Sequence, residues 1–145
     1  VSEGWRYIED IYTHGGGAYF DAVALHPYGN PLNWQAIHDT WGVLERHGDG
    51  HKRLWINEYG WNTTDEPLKA QRLRETLERL ATPEFHMVFQ ANYLVLTDLT
   101  PGGHDFGLCA ADLEALRPVP RASAEAFRAL PKIARSLSAP APRAE

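Results

Sequence analysis

Residues 53–62 read RLWINEYGWN, and how this stretch is taken decides the fold. Leu54, Trp55 and Ile56 make the apolar run of a short buried strand, but the run stops at Asn57 and Glu58 and breaks at Gly60, between Tyr59 and Trp61. An ionised carboxylate is costly inside a protein core. A strand that ends on one either meets a helix cap or a surface ion pair, or opens at its carboxyl end into a cleft.

Working outward, two further apolar runs flank this one. Residues 19–25 (YFDAVAL) have the near-continuous apolar and aromatic pattern of a parallel strand covered on both faces, followed by a loop from His26 through Pro31. Residues 87–96 (MVFQANYLVL) form the third run. Helical stripes separate the runs. Trp34, Ile37, Trp41 and Leu44 mark one helix, and Ala70, Leu73, Leu77 and Leu80 mark another whose first turn holds Asp65, Glu66 and Pro67. Trp5, Ile8, Ile11 and Tyr12 predict a helix at the start, ended by Gly15-Gly16-Gly17. Ala124, Phe127 and Leu130 predict a last one after the Pro101-Gly102-Gly103 loop, stopped by Pro131.

Buried strands alternating with amphipathic helices call for an α/β fold with a parallel sheet. Three strands alone would leave apolar edges open, which proteins avoid by pairing or covering them. Val1 in place of Met, directly followed by helix-like sequence without a secretory leader, adds to the expectation that upstream sequence is missing. Residues 1–135 are expected to form one unit, and the Pro/Ala-rich residues 136–145 (SLSAPAPRAE) a flexible tail.

Composition narrows the function. The 145 residues are 43% hydrophobic, enough for one core, and a net charge of −5 without a basic cluster argues against nucleic acid and anionic membranes as partners. No apolar run approaches the roughly 20 residues that span a bilayer, so a soluble protein is expected. The single Cys109 excludes an internal disulfide and leaves the compartment, secreted or cytoplasmic, open. Seven histidines show no metal-ligand spacing, and neither a dinucleotide fingerprint nor a phosphate loop is present: Gly15-Gly16-Gly17 precedes a strand instead of following one. Neither a metal nor a cofactor is expected.

In parallel α/β folds functional groups gather beyond the carboxyl ends of the strands. That selects His26 and Tyr28 after the first run, Asn57, Glu58 and Tyr59 at the second, and Thr97 and Asp98 after the third. Each has a duller explanation: a lone His is usually structural, a lone Tyr packs, and Trp61 serves the core as readily as it stacks on the apolar face of a sugar.

At these residues the sequence resembles the C-terminal half of a clan A glycoside hydrolase, a (β/α)8 barrel enzyme of the cellulase, mannanase and β-xylosidase kind. FDAVALHPYG (residues 20–29) is similar to the sixth strand, LWINEYGW (54–61) to the seventh, VFQANYLVLTD (88–98) to the eighth, and residues 106–127 to the segment after it. The resemblance implies a partial TIM barrel, roughly strands six to eight. It implies a retaining enzyme on a β-linked oligo- or polysaccharide, with Glu58 as the nucleophile and His26 and Tyr28 beside it. Asn57, Trp61, Tyr93 and Asp98 are the further candidates for substrate contact.

One departure stands out. Members commonly place a Trp near the end of the eighth strand, where this chain offers Tyr93, Leu94 and Leu96. The acid/base of the clan ends a fourth strand that these residues do not contain, so the missing N-terminal half of the barrel becomes an expected partner and the piece alone is expected to be inactive. Two alternatives stay open: a noncatalytic carbohydrate-binding or regulatory domain derived from such a barrel, and a complete small α/β protein with an unrelated role.

Overall fold

The computed structural model describes residues 4–98 and 104–130. Three parallel strands, β1 (Ala22–Leu25), β2 (Arg53–Tyr59) and β3 (Val88–Tyr93), lie side by side in sequence order. Helix α1 (Gly4–Thr13) precedes β1, α2 (Trp34–Arg46) links β1 to β2, and α3 (Glu66–Leu80) links β2 to β3. Right-handed crossovers between strands in sequence order put both linking helices on one face of the sheet. The chain is therefore mixed α/β with a parallel sheet, and no closed barrel forms among the described residues.

The helices start where their side chains can cap them. Asn33 Oδ1 accepts from the Ala36 amide at 3.1 Å, and Asp65 Oδ1 from the Leu68 amide at 2.9 Å with Pro67 in the same first turn. Their apolar stripes then meet the sheet: Ile37, Leu44 and Leu73 pack with Leu54 and Ile56 of β2, Val23, Val88 and Phe85, and most of these are wholly buried. Side chains alternate across a strand, so a residue whose two neighbours face the helices looks the other way.

That other face is uncovered. Ala22 and Ala24 of β1 and Gln90 of β3 are exposed there, which corrects the expectation of a first strand covered on both faces. The apolar run misled because alanine is apolar but small, and it tolerates a bare face. The first strand also begins later than predicted, since Gly16–Tyr19 form a 3₁₀ turn after Gly15 takes φ 76°. On the same bare face Trp55 Nε1 and Asn57 Oδ1 are buried by their neighbours without a hydrogen-bond partner.

A second small sheet was not foreseen. The third apolar run breaks after Tyr93, and β4 (Thr97–Asp98) pairs parallel with β5 (Cys109–Asp112), which turns through Leu116 at φ 50° into antiparallel β6 (Arg117–Pro120). Pro118 and Pro120 lack amide donors, so β6 can only be an edge strand. Helix α4 (Ala122–Ala129) then packs on α3. Pro131, the expected helix stop, and the tail at 136–145 lie outside the described residues, as does Pro101-Gly102-Gly103.

A largely buried charge network ties α3 to the second sheet and to the start of α4. Lys69 Nζ, fully buried, lies 2.8 Å from Glu66 Oε1 and donates to the Gly107 carbonyl at 3.1 Å. Arg121 Nη1 donates to Asp98 Oδ2 at 2.6 Å and to the same carbonyl at 2.9 Å, while Ser123 Oγ donates to Glu66 Oε2 at 2.6 Å. Every charge in the cluster has an opposite partner, which is what burial requires.

Candidate active site

A local irregularity in β2 decides where Glu58 goes. Leu54 and Ile56 face the helices, and simple alternation would send position 58 after them into the core. The register shows otherwise: Ile56 pairs with Ala91 and Tyr59 with Tyr93, so Asn57 and Glu58 together stand opposite the single residue Asn92. This bulge resets the phase of the strand. Tyr59 takes the buried place at 0% exposure, and the Glu58 side chain is left 38% exposed at the carboxyl end of the sheet.

Two groups from the loop after β1 meet the carboxylate there. Tyr28 donates its hydroxyl to Glu58 Oε2 at 3.0 Å, and His26 Nδ1 lies 3.3 Å from the same oxygen, an ion pair whenever the ring is protonated. The loop is held for this purpose. Trp61 Nε1 donates to the Gly29 carbonyl at 3.1 Å, Asn33 N to the Pro27 carbonyl at 3.0 Å, and Pro27 and Leu32 are buried beneath. Partial burial, and then the bond to Glu58, push the Tyr28 hydroxyl from 10.0 to about 12, so it stays a neutral donor at ordinary pH. Glu58 Oε1 is left for another contact.

The remaining candidates divide. Asn57 shares the bulge with Glu58, and its buried Oδ1 has no partner on the bare face of the sheet. Trp61, a candidate for stacking on a ligand, is turned inward at 5% exposure, edge-on to Tyr59 at 6.0 Å, and supports the loop instead. Tyr93 donates to the Phe106 carbonyl at 2.7 Å and packs edge-on to Tyr59 at 5.4 Å. Asp98 accepts from Arg121 at 2.6 Å and from the Gly107 amide at 2.7 Å, so its carboxylate ties the second sheet to the segments around Gly107 and Arg121.

Sequence reasoning passed over Phe106. Its ring lies 6.3 Å from that of Tyr28, nearly perpendicular to it, and is half-buried beside the candidate site. The signal was available in Gly60, where a Cβ would lie 3.2 Å from the Phe106 ring and 3.3 Å from Tyr93: the glycine makes room for two aromatic rings. Among the described residues no group of three or more His, Cys, Asp or Glu side chains is placed to hold a metal ion, and no helix is long and apolar enough to cross a membrane.

Chemically, the arrangement presents one partly exposed carboxylate, oriented through one oxygen by a neutral phenol and an imidazole, at the edge of an open sheet face. No family model and no curated protein matches the sequence. Among solved structures, the crystal structure of the beta-glycosidase BGL167 is similar, with 19% sequence identity and a TM-score of 0.62 over 92% of this chain. At that identity the likeness concerns the fold alone. The chain has a glycoside-hydrolase-like α/β fold, and it spans 38% of the length of the beta-glycosidase it resembles.

Proposed function

We propose that these residues form the nucleophile-bearing part, the C-terminal half, of a retaining glycoside hydrolase barrel acting on a β-linked oligo- or polysaccharide. The observation that carries the reading is the convergence of Tyr28 and His26 on one oxygen of Glu58, at the carboxyl end of a parallel sheet. Retaining glycosidases use two carboxyl groups roughly 5 Å apart, one ionised to attack the anomeric carbon and one protonated to release the leaving group. Glu58 is the attacking group, and the hydrogen bond from Tyr28 fixes the direction of its oxygens.

When the glycosyl–enzyme ester forms, the charge on Glu58 disappears, and water must later reach the anomeric carbon. The acid/base that assists both steps comes from the other half of the barrel, which would also cover the bare face holding Trp55 and Asn57. Without it, hydrolysis of ordinary glycosides is expected to be negligible.

An activated substrate isolates the part that is present. In 2,4-dinitrophenyl 2-deoxy-2-fluoro-β-glycosides the leaving group needs no protonation and the fluorine slows release of the intermediate. Incubation with the gluco, manno and xylo forms should add one fluoroglycosyl mass to the peptide containing Glu58, and none to Glu58→Gln. A label on another residue, or an equal label on Glu58→Gln, would remove Glu58 from the chemistry. Supplying the N-terminal half of a related barrel in trans should then restore turnover. The alternative reading is a noncatalytic carbohydrate-binding or regulatory domain derived from such a barrel. It predicts sugar binding that survives Glu58→Gln and no label on the parent chain.

A further inference from the structure

The rings beside Glu58 do not stop at Tyr28. His26 and Tyr28 lie 6.2 Å apart, Tyr28 and Phe106 6.3 Å, and Phe106 and His104 6.3 Å, so four rings form a continuous series of neighbours that begins beside the carboxylate. The first two serve Glu58. The last two come from another part of the chain, the segment entering β5, and touch nothing on Glu58.

That segment is held with unusual thoroughness for a surface loop. Asp105 N donates to Asn62 Oδ1 at 2.7 Å and its carbonyl accepts from Thr63 N at 3.3 Å. The Phe106 carbonyl accepts from Tyr93, and Gly107 is fixed at its amide by Asp98 and at its carbonyl by both Lys69 and Arg121. A Cβ on Gly107 would lie 2.6 Å from the Asp98 amide nitrogen, so only glycine lets the backbone come this close. All this anchoring fixes the backbone on either side of a ring that remains half-buried. A phenylalanine needed only for packing would be turned in, as Phe85 is at 0% exposure.

Resting on the glycosidase reading, we propose that Phe106, with His104 at its outer edge, is a second sugar position: an aromatic platform for the pyranose unit next to the one attacked by Glu58. Aromatic rings bind the apolar face of a pyranose, and a platform whose backbone is already immobilised costs little ordering on binding. The ligand class is a neutral β-linked disaccharide or longer chain. The charge network of Glu66, Lys69, Asp98 and Arg121 serves as the positioning device behind the ring.

The test is an amide NMR titration of the 145-residue chain with glucose and cellobiose, mannose and β-mannobiose, and xylose and xylobiose. For at least one pair, the disaccharide should shift the amides of residues 104–107 together with those of 28 and 58, and bind about tenfold more tightly than its monosaccharide. Phe106→Leu should cut that ratio to about twofold or less, and Phe106→Trp should retain it. Contacts between sugar protons and the Phe106 ring in the unsubstituted chain give a readout that does not depend on any variant folding. A disaccharide that moves residues 28 and 58 but not 104–107, or an unchanged ratio in folded Phe106→Leu, overturns the second position and leaves the glycosidase reading standing. If none of the six sugars moves either set, both fail.

Discussion

Lys69→Met removes the centre of the network that ties α3 to the second sheet while keeping the length of the side chain. The lost contacts are the 2.8 Å pair with Glu66 and the 3.1 Å bond to the Gly107 carbonyl, both at a position with 0% exposure. Removing one member of a buried pair costs about 3–5 kcal/mol, because the other charge is left behind. Here Glu66 keeps Ser123 Oγ at 2.6 Å, the Ser123 amide at 3.3 Å, Arg121 at 4.0 Å and 21% of its own exposure, and the Gly107 carbonyl keeps Arg121. The low end, about 3 kcal/mol, is therefore expected. For a chain of this size that is a fall of about 6–12 °C in melting temperature.

Urea denaturation of the parent, Lys69→Met, Glu66→Gln and the double variant measures both the loss and its origin. If the cost is that of a stranded charge, the double variant should lose less than the two single variants summed, by at least about 1 kcal/mol. The pH profile carries the same information. Burial pushes Glu66 up, but hydrogen bonds from Lys69 and Ser123 outweigh it and hold the carboxyl below its ordinary 4.5. A depressed carboxyl contributes stability that is present above 4.5 and lost as pH falls through its folded value. The gap between parent and Lys69→Met should accordingly narrow under acid below that point. A Lys69→Met protein within about 0.5 kcal/mol of the parent at neutral pH would refute the reasoning.

Two further outcomes follow from the site. Tyr28 should ionise at about pH 12 in an ultraviolet absorbance titration, and Glu58→Gln, which removes the anion it faces, should move that component back toward 10.0; no movement would mean that the hydroxyl is not bonded to the carboxylate. Gly107→Ala drives a Cβ against the Asp98 backbone and should cost about 1–3 kcal/mol in denaturation. If the added methyl is accommodated without loss, the close approach that fixes Phe106 is not there.

The alternation of helix and strand was legible because each helix carries an apolar stripe, and α3 adds the capping residue Asp65. The adjacency of His26, Tyr28 and Glu58 was legible for a topological reason: neighbouring parallel strands deliver whatever follows their last residues to one edge. What escaped depends on partners distant in sequence. The bulge at Asn57 and Glu58 is defined only against β3, and β4 to β6 are strands of two to four residues, the last with Pro118 and Pro120 arguing against strand on their own. Lys69 reads as one more cation on a charged helix until Gly107 and Arg121 arrive to bury it. Trp61 and Asp98 follow strand ends, where a side chain can also turn back: Trp61 is buried and Asp98 is bonded to Arg121, contacts that the order of residues does not announce.

The bulge in β2 has an implication for how such a chain tolerates change. Substituting Asn57 alters one side chain, but deleting it would remove the bulge and draw Glu58 into the place of Asn57, on the bare face of the sheet and out of step with Tyr28 and His26. The count of residues between Leu54 and Tyr59 is thus constrained more tightly than their identities. A frame-preserving loss of a single codon there should be more damaging than most missense changes in the same strand.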